Sequence, residues 1–382
     1  MCNPPQPGTP GPSTPPSDTP PDWESITLPA AHILAHLTDA HCHPTDLSPS
    51  TETYDAVQLG GLAAMAVCDD QSAVAALGAA RGWAEGEVGP GKGRVVAAFG
   101  YHPWFSHRFS LHDPAPPKEE HYLEVFAPKP ALAAQLGDFL PLLPEPESFS
   151  ARLERIRSDV VAARAAGRLA MVGEIGLDSA ARVRIWPRTR DESSVLTPFR
   201  TTLAHQTALA RAQLALAVEL GVPASVHCVA ASGPTLRLLE SVRAADARFS
   251  RINIDMHSCG GWKPEFLAQA ARTMPNLYFS PSVLLTARSP AGAAAVRAIP
   301  RDRVLVESDL HDVAQSTRLV WASVLWVAAC RGWRVESAEQ WEGVEEEDDE
   351  FDEKGRLVER AEGEVWAVRT IERNWARFMG LI

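Results

Sequence analysis

Asp39-Ala40-His41-Cys42-His43 places two imidazoles at positions i and i+2. In an extended chain alternate side chains share a face, so His41 and His43 can reach one ion while Cys42 turns away. Two imidazoles chelate a divalent cation that a single one holds poorly. Four later segments end in donors of the same kinds. Met171–Asp178 delivers Glu174, Ser225-Val226-His227 delivers His227, Asp255-Met256-His257 delivers His257, and Val306-Glu307-Ser308-Asp309 delivers Asp309. Each of these residues alone reads better as a buried, hydrogen-bonded structural group; together they point to a metal site. Four imidazoles and two carboxylates exceed what one tetrahedral ion uses and suit two divalent cations. Glu174 has two oxygens and a central strand, so it is the expected bridge. His41, His43 and Asp309 would complete one ion, His227 and His257 the other. Such a donor set is compatible with Zn, Mn or Mg.

Those donors must be brought together by elements scattered along the chain. Short apolar or β-branched runs at 36–41, 63–68, 95–100, 170–175, 224–227, 252–257, 277–280 and 304–307 alternate with Ala/Leu-rich helical stretches. Eight strands separated by helices predict an α/β fold, a parallel (β/α)8 TIM barrel, whose C-terminal rim is where ligands from separate strands converge. The barrel is predicted as a single domain over 33–382, with loop insertions at 107–150 and 334–360. Leu209, Leu216 and Leu220 recur at helical spacing and stop at Gly221. Val365, Val368, Ile371, Trp375 and Phe378 share one face of a closing helix. Residues 1–25 read as a disordered proline-rich tail, because nine of the 31 prolines fall before Asp22 and little apolar surface offsets the ordering entropy.

Composition narrows the function classes. The formal charge of −12 is concentrated between Glu342 and Glu353, which hold nine acids and no base. The rest of the chain is near neutral, so no global basic field advertises nucleic acid, and a phosphate substrate must be attracted locally. The longest apolar run, Leu319 to Cys330, is shorter than the roughly 20 residues that span a bilayer and reads as a buried barrel helix; no membrane partner is expected. A proline-rich start is unlike a secretory signal, and six cysteines without a close pair read as reduced. An intracellular protein, cytoplasmic or nuclear, is expected. The proline-rich tail and the acidic insertion are the segments that could take a protein partner.

The order of DxHxH, Gly100-Tyr101-His102-Pro103, Gly173-Glu174-Ile175-Gly176-Leu177-Asp178, Val226-His227-Cys228, a strand-six histidine and Glu307-Ser308-Asp309 resembles the TatD-related metal-dependent deoxyribonucleases. The resemblance runs from Leu37 to Asn374–Gly380 and is nearest the fungal-type branch, with its acidic and proline-rich insertions. It implies a TIM barrel with a two-metal centre, within the amidohydrolase-like metal barrels. It also implies phosphodiester hydrolysis by a water activated between the metals, with DNA ends or single strands as substrate. The chain departs from the family at Val229, where many members carry an arginine, and in having Glu307-Ser308-Asp309 for the commoner Glu-Thr-Asp. A guanidinium grips phosphate bidentately, so Arg182 and Arg184 are candidate replacements.

Within this reading Asp309 and Glu174 are the catalytic residues, Asp309 both ligand and general base. His102, Arg182, Arg184 and Lys263 are candidate substrate contacts, and Trp104, Trp186 and Trp262 candidate stacking surfaces for bases. Two alternatives remain open on sequence. One is a barrel that hydrolyses C–N or ester bonds; the absence of lysine from Met171–Asp178 favours the carboxylate-bridged type over a carbamate bridge. The other is a scaffold with weakened catalysis, against which stands a complete donor set.

Overall fold

Seven parallel strands form one sheet in chain order: β1 Thr38–Cys42, β2 Gly61–Met65, β3 Arg94–Phe99, β4 Ala170–Asp178, β5 Ala224–Val229, β6 Ile254–His257 and β7 Leu277–Ser280. The eighth predicted strand forms no ladder, yet it closes the ring. Leu305 N donates to Phe279 O at 2.9 Å on one side, and on the other Ala40 N donates to Val306 O at 3.0 Å and Asp309 N to His41 O at 3.0 Å. The fold is therefore the expected α/β barrel. The computed structural model describes residues 17–47, 49–185, 194–338, 357–358 and 360–382. Trp186, residues 1–16 of the proline-rich tail and the acidic run 342–353 lie outside them.

Helices α1 Gln71–Arg81, α2 Phe149–Ala165, α3 Leu203–Leu220, α4 Ser232–Ala245, α5 Pro264–Thr273, α6 Gly292–Ala298 and α7 Val313–Arg331 connect or follow the strands, and α8 Ala367–Phe378 closes the chain. α3 ends where the leucine spacing predicts, with Gly221 in the left-handed region that a Cβ disfavours. α7 is long and apolar enough to cross a bilayer by length and composition, but most of its apolar window is buried within the fold. In the barrel, Ala40, Ala63, Met65, Val96, Ala98, Met171, Tyr278 and Leu305 pack as one cluster with Trp375, Phe378 and Met379. The apolar face of α8 thus seals the end of the barrel where the strands begin. Asn374 ties that seal to the eighth segment, donating to Arg301 O and Val304 O.

The predicted loop after β3 has structure of its own. The segment after β3 contains a helix, Lys118–Phe126, and a short parallel pairing of Phe109–Ser110 with Glu147–Ser148. Tyr122, Val125, Phe126, Leu136 and Leu143 from it form a small core with Val183 and Phe199 of the β4–α3 loop. The two loops thereby make one cap beside the barrel mouth. The expected disorder of residues 1–25 needs correction from Ser17 onward. Ser17 N donates to Ala329 O, Arg297 pairs with Asp18, and Trp326 Nε1 donates to Asp18 O, so this stretch lies along α7. Proline suits an extended strap held by side-chain donors, which composition alone does not reveal.

Candidate metal centre

β-bulges aim the first donors. Between Asp39 and Cys42, three residue steps on β1 face two on β2, and between Val172 and Ile175 three on β4 face two on β5. An extra residue in one strand re-aims the side chains beyond it. Ala40 consequently packs in the barrel-interior cluster while Cys42 packs in the outer one. Beyond the second bulge, Ile175 and Leu177 face the outer core and Glu174 turns to the histidines.

Glu174 lies at the centre. Its Oε2 is 3.3 Å from His41 Nε2 and 3.3 Å from His43 Nε2. Its Oε1 is 2.9 Å from His227 Nδ1, 2.8 Å from His257 Nε2 and 3.1 Å from His102 Nε2. Asp309 Oδ1 is 3.4 Å from His43 Nε2 and 3.8 Å from His41 Nε2, so it joins the first group. All six residues expected as ligands therefore meet at one mouth, with His41 and His257 stacked at a centroid distance of 3.8 Å.

Hydrogen bonds behind the rings assign the nitrogens. His41 Nδ1 is 2.8 Å from Ser225 Oγ, and His227 Nε2 is 3.4 Å from Asp178 Oδ2. With its Nδ1 protonated, neutral His41 presents an Nε2 lone pair to Glu174 Oε2, and His227 would present Nδ1 to Oε1 in the same way on giving up its second proton. His41 Nε2 is buried and has no hydrogen-bond partner. A lone pair facing a carboxylate with no hydrogen between them is an arrangement a cation resolves, so the residues fit a metal. His102 differs. Its Nδ1 accepts from Trp104 N at 3.1 Å, so in the neutral ring Nε2 carries the proton and donates to Glu174 Oε1. His102 belongs to the cluster as a donor.

Electrostatics agree. Burial opposes ionisation of Glu174, but His102, His257 and His41 outweigh it and hold the carboxyl well below its ordinary range. Asp309 is held low against burial by His43, His257 and His41. Burial pushes His41 and His102 down to about 4. Burial also opposes charge on His43 and His227, yet Asp309 and Glu174 raise the first well above its usual value, and Asp178 and Glu174 raise the second to about 9. The ionised carboxylates demand positive charge, from these protons or from divalent cations.

A buried polar layer supports the rim. Ser258 donates from N and Oγ to Glu307 Oε1, and its Oγ is 3.2 Å from Asp309 Oδ2. Ser280 Oγ lies 2.6 Å from Glu307 Oε2 and 2.7 Å from Asp255 Oδ2. One hydroxyl proton cannot serve both, so one carboxyl is itself protonated. Burial raises Asp255 to about 6 and holds Glu307 well above its ordinary range.

Other expectations resolve unevenly. Arg182 and Arg184 line a cavity of about 520 Å3 that also touches Asp178 and Trp104, placing them beside the cluster. Lys263 is exposed before α5 and is not among the residues that line this cavity. Trp104 is 53% exposed on the rim, whereas Trp262 is 2% exposed and packs on Phe266 and Phe279. Trp262 is therefore a core residue and offers no stacking face. Val229 ends β5 with 40% exposure and brings no charge to the rim. Asp178, given no role from sequence, accepts from Ala180 N, Ala181 N and Trp104 Nε1 and backs His227. Its even spacing from Glu174 on one strand was the available signal.

A parallel barrel with imidazoles and carboxylates converging at its C-terminal mouth defines a metal-dependent hydrolase fold. Residues 38–340 match the profile of the family described as TatD related DNase. The chain belongs to that family and is a metal-dependent hydrolase of the TatD type. It is 28% identical over 334 residues to the Cut9-interacting protein scn1 of Schizosaccharomyces pombe, covering 78% of this chain and 94% of that one. It is 28% identical over 225 residues to the uncharacterized deoxyribonuclease YMR262W of Saccharomyces cerevisiae, covering 57% and 67%. The fold is shared with YJJV, a TatD homologue of Escherichia coli, at TM-score 0.51 and 15% identity over 91% of this chain and 98% of that one. A TatD family hydrolase of Entamoeba histolytica gives TM-score 0.52 and 10% identity over 91% and 98%.

Proposed function

We propose that this chain is a deoxyribonuclease that cleaves phosphodiester bonds, with DNA ends or single strands as substrate. One divalent cation would be held by His41, His43, Glu174 and Asp309, the other by Glu174, His227 and His257. The observation that carries this is Glu174, whose Oε2 faces one histidine pair and whose Oε1 faces another. Bound divalent cations supply Lewis-acid activation of water and of the phosphoryl group.

The chain's own groups do the rest. Asp309, fixed by its N–H to His41 O, takes the proton from the attacking water. His102 stays neutral because burial lowers its pKa to about 4, so its Nε2–H is a donor for Glu174 or for a phosphoryl oxygen. Five described cysteines are free and buried, which supports a reducing, intracellular setting. The relative named for its interaction with Cut9 supports a protein partner for this chain as well, through the tail or the acidic insertion.

The test compares short single-stranded DNA, RNA and simple esters or lactones as substrates, with Zn, Mn and Mg panels and a chelator control. The expected result is DNA cleavage that the chelator abolishes and that Asp309→Asn slows at least about 100-fold. Faster turnover of the esters or lactones than of any oligonucleotide would overturn the reading.

A further inference from the structure

Trp104 exposes half of the largest side chain in the chemistry-bearing rim, yet its ring is fixed. Its Nε1–H donates to Asp178 Oδ2 at 2.8 Å, and the ring stands edge-on to His102 at a centroid distance of 4.7 Å. Its carbonyl receives His107 Nδ1 at 3.1 Å, so the backbone of the Pro103–Arg108 turn is held too. An exposed aromatic that is pinned in place is prepared for a ligand, because its ordering entropy is already spent on folding.

Trp104 lines the 520 Å3 cavity together with Phe105, Leu196, Arg182, Arg184 and Asp178. That volume lies in the range of small-molecule sites. Asp178 also backs His227, so one side chain separates the cavity from the metal cluster. The Asp178 carboxylate already meets Trp104 Nε1, two backbone N–H groups and the His227 ring, so its charge is engaged by the protein. What remains facing the space is aromatic and aliphatic surface flanked by two guanidinium-bearing residues. Flat apolar walls beside cationic ones, a ring's width from a phosphodiester-cleaving centre, match a nucleobase and its phosphate.

We infer that this cavity binds the nucleotide adjoining the scissile phosphodiester, its base stacked on Trp104 and its phosphate met by Arg182. The inference rests on the nuclease reading for the identity of the occupant. It makes Trp104 and Arg182 specificity-determining residues for a substrate with an unpaired base, since a paired and stacked base cannot offer its face.

The test is equilibrium binding, independent of turnover. Fluorescein-labelled tetrathymidylate with phosphorothioate linkages is compared with the same oligonucleotide carrying an abasic unit at either end, by anisotropy on the full chain. The wild type is expected to bind the base-bearing strand about tenfold more tightly than one of the abasic strands, within the range for losing one base–aromatic stack. Trp104→Leu brings that ratio toward one, while Trp104→Phe keeps most of it; a ratio within one variant cancels any shift of the metal cluster. Arg182→Ala weakens both strands alike and flattens their salt dependence. Equal binding of all strands by the wild type, or an unchanged ratio in Trp104→Leu, overturns the inference. Parallel cleavage assays separate the two readings. Base-dependent binding without cleavage removes the nuclease and keeps the nucleotide site, and cleavage without base dependence does the reverse.

Discussion

Asp178→Asn is a nearly isosteric change with a calculable consequence. Asp178 Oδ1 accepts from Ala180 N and Ala181 N, both at 2.8 Å, so the amide oxygen of an asparagine must take that position. Its NH2 then occupies the place of Oδ2, facing Trp104 Nε1–H and His227 Nε2–H, donor against donor. His227 relieves the clash by moving its proton to Nδ1, the nitrogen that faces Glu174 and would hold the cation. Disturbing the partner behind a ligating histidine typically costs 10–100-fold in metal affinity, about 1.4–2.7 kcal/mol. The expected effect is confined to the cation held by Glu174, His227 and His257. Calorimetric titration of chelator-treated protein with Zn or Mn should show one of two binding steps shifted in the variant and the other in place. Asp178→Ala, which removes the clash along with the carboxylate, should lose no more than the asparagine variant. A folded Asp178→Asn protein with both steps unchanged would refute the reasoning.

Two further outcomes probe the scaffold. Gly176 sits at φ +141, and a Cβ there would overlap the carbonyl oxygen of His227 on the paired strand. Gly176→Ala is expected to destabilise by about 2–6 kcal/mol, the sum of backbone strain and overpacking, measured by urea unfolding; a loss below about 1 kcal/mol would contradict the β4–β5 packing described. His107 is buried, and burial pushes its pKa to about 3 while its Nδ1–H holds Trp104 O. The unfolded state takes up a proton near pH 6.5 and the folded state does not. Its contribution is therefore complete above pH 6.5 and is lost as pH falls from there toward 3, by roughly 2 kcal/mol at pH 5. Urea unfolding at pH 7 and pH 5 should show His107→Gln losing that much less than wild type, with His121 and His205 common to both. Equal losses in the two proteins would count against a neutral His107.

The donors were legible because each sits at the end of an apolar run, and a parallel barrel gathers strand ends whatever their separation in sequence. The closing helix was legible for a similar reason: Val368, Ile371, Trp375 and Phe378 recur at helical spacing and are all buried. Register was not. A regular strand puts Ala40 and His41 on opposite faces, and only the bulge against β2 lets both face inward. A bulge is set by the partner strand, which no local pattern records. Tertiary context likewise decided Trp262, whose exposure next to two glycines and a lysine was a reasonable expectation until Phe266 and Phe279 enclosed it. The eighth segment reads as a strand and hydrogen-bonds to both neighbours without a continuous ladder, because Ser308 is drawn to Asp39 by its N and Oγ.

The proposed function depends on Glu174 lying between two cations. Crystals soaked in Mn or Zn and measured at the metal absorption edge address this directly. The account predicts two anomalous peaks about 3.5–4 Å apart. One should lie among His41, His43 and Asp309, the other between His227 and His257, with a carboxylate oxygen of Glu174 on each. A single peak, or peaks away from Glu174, would contradict it.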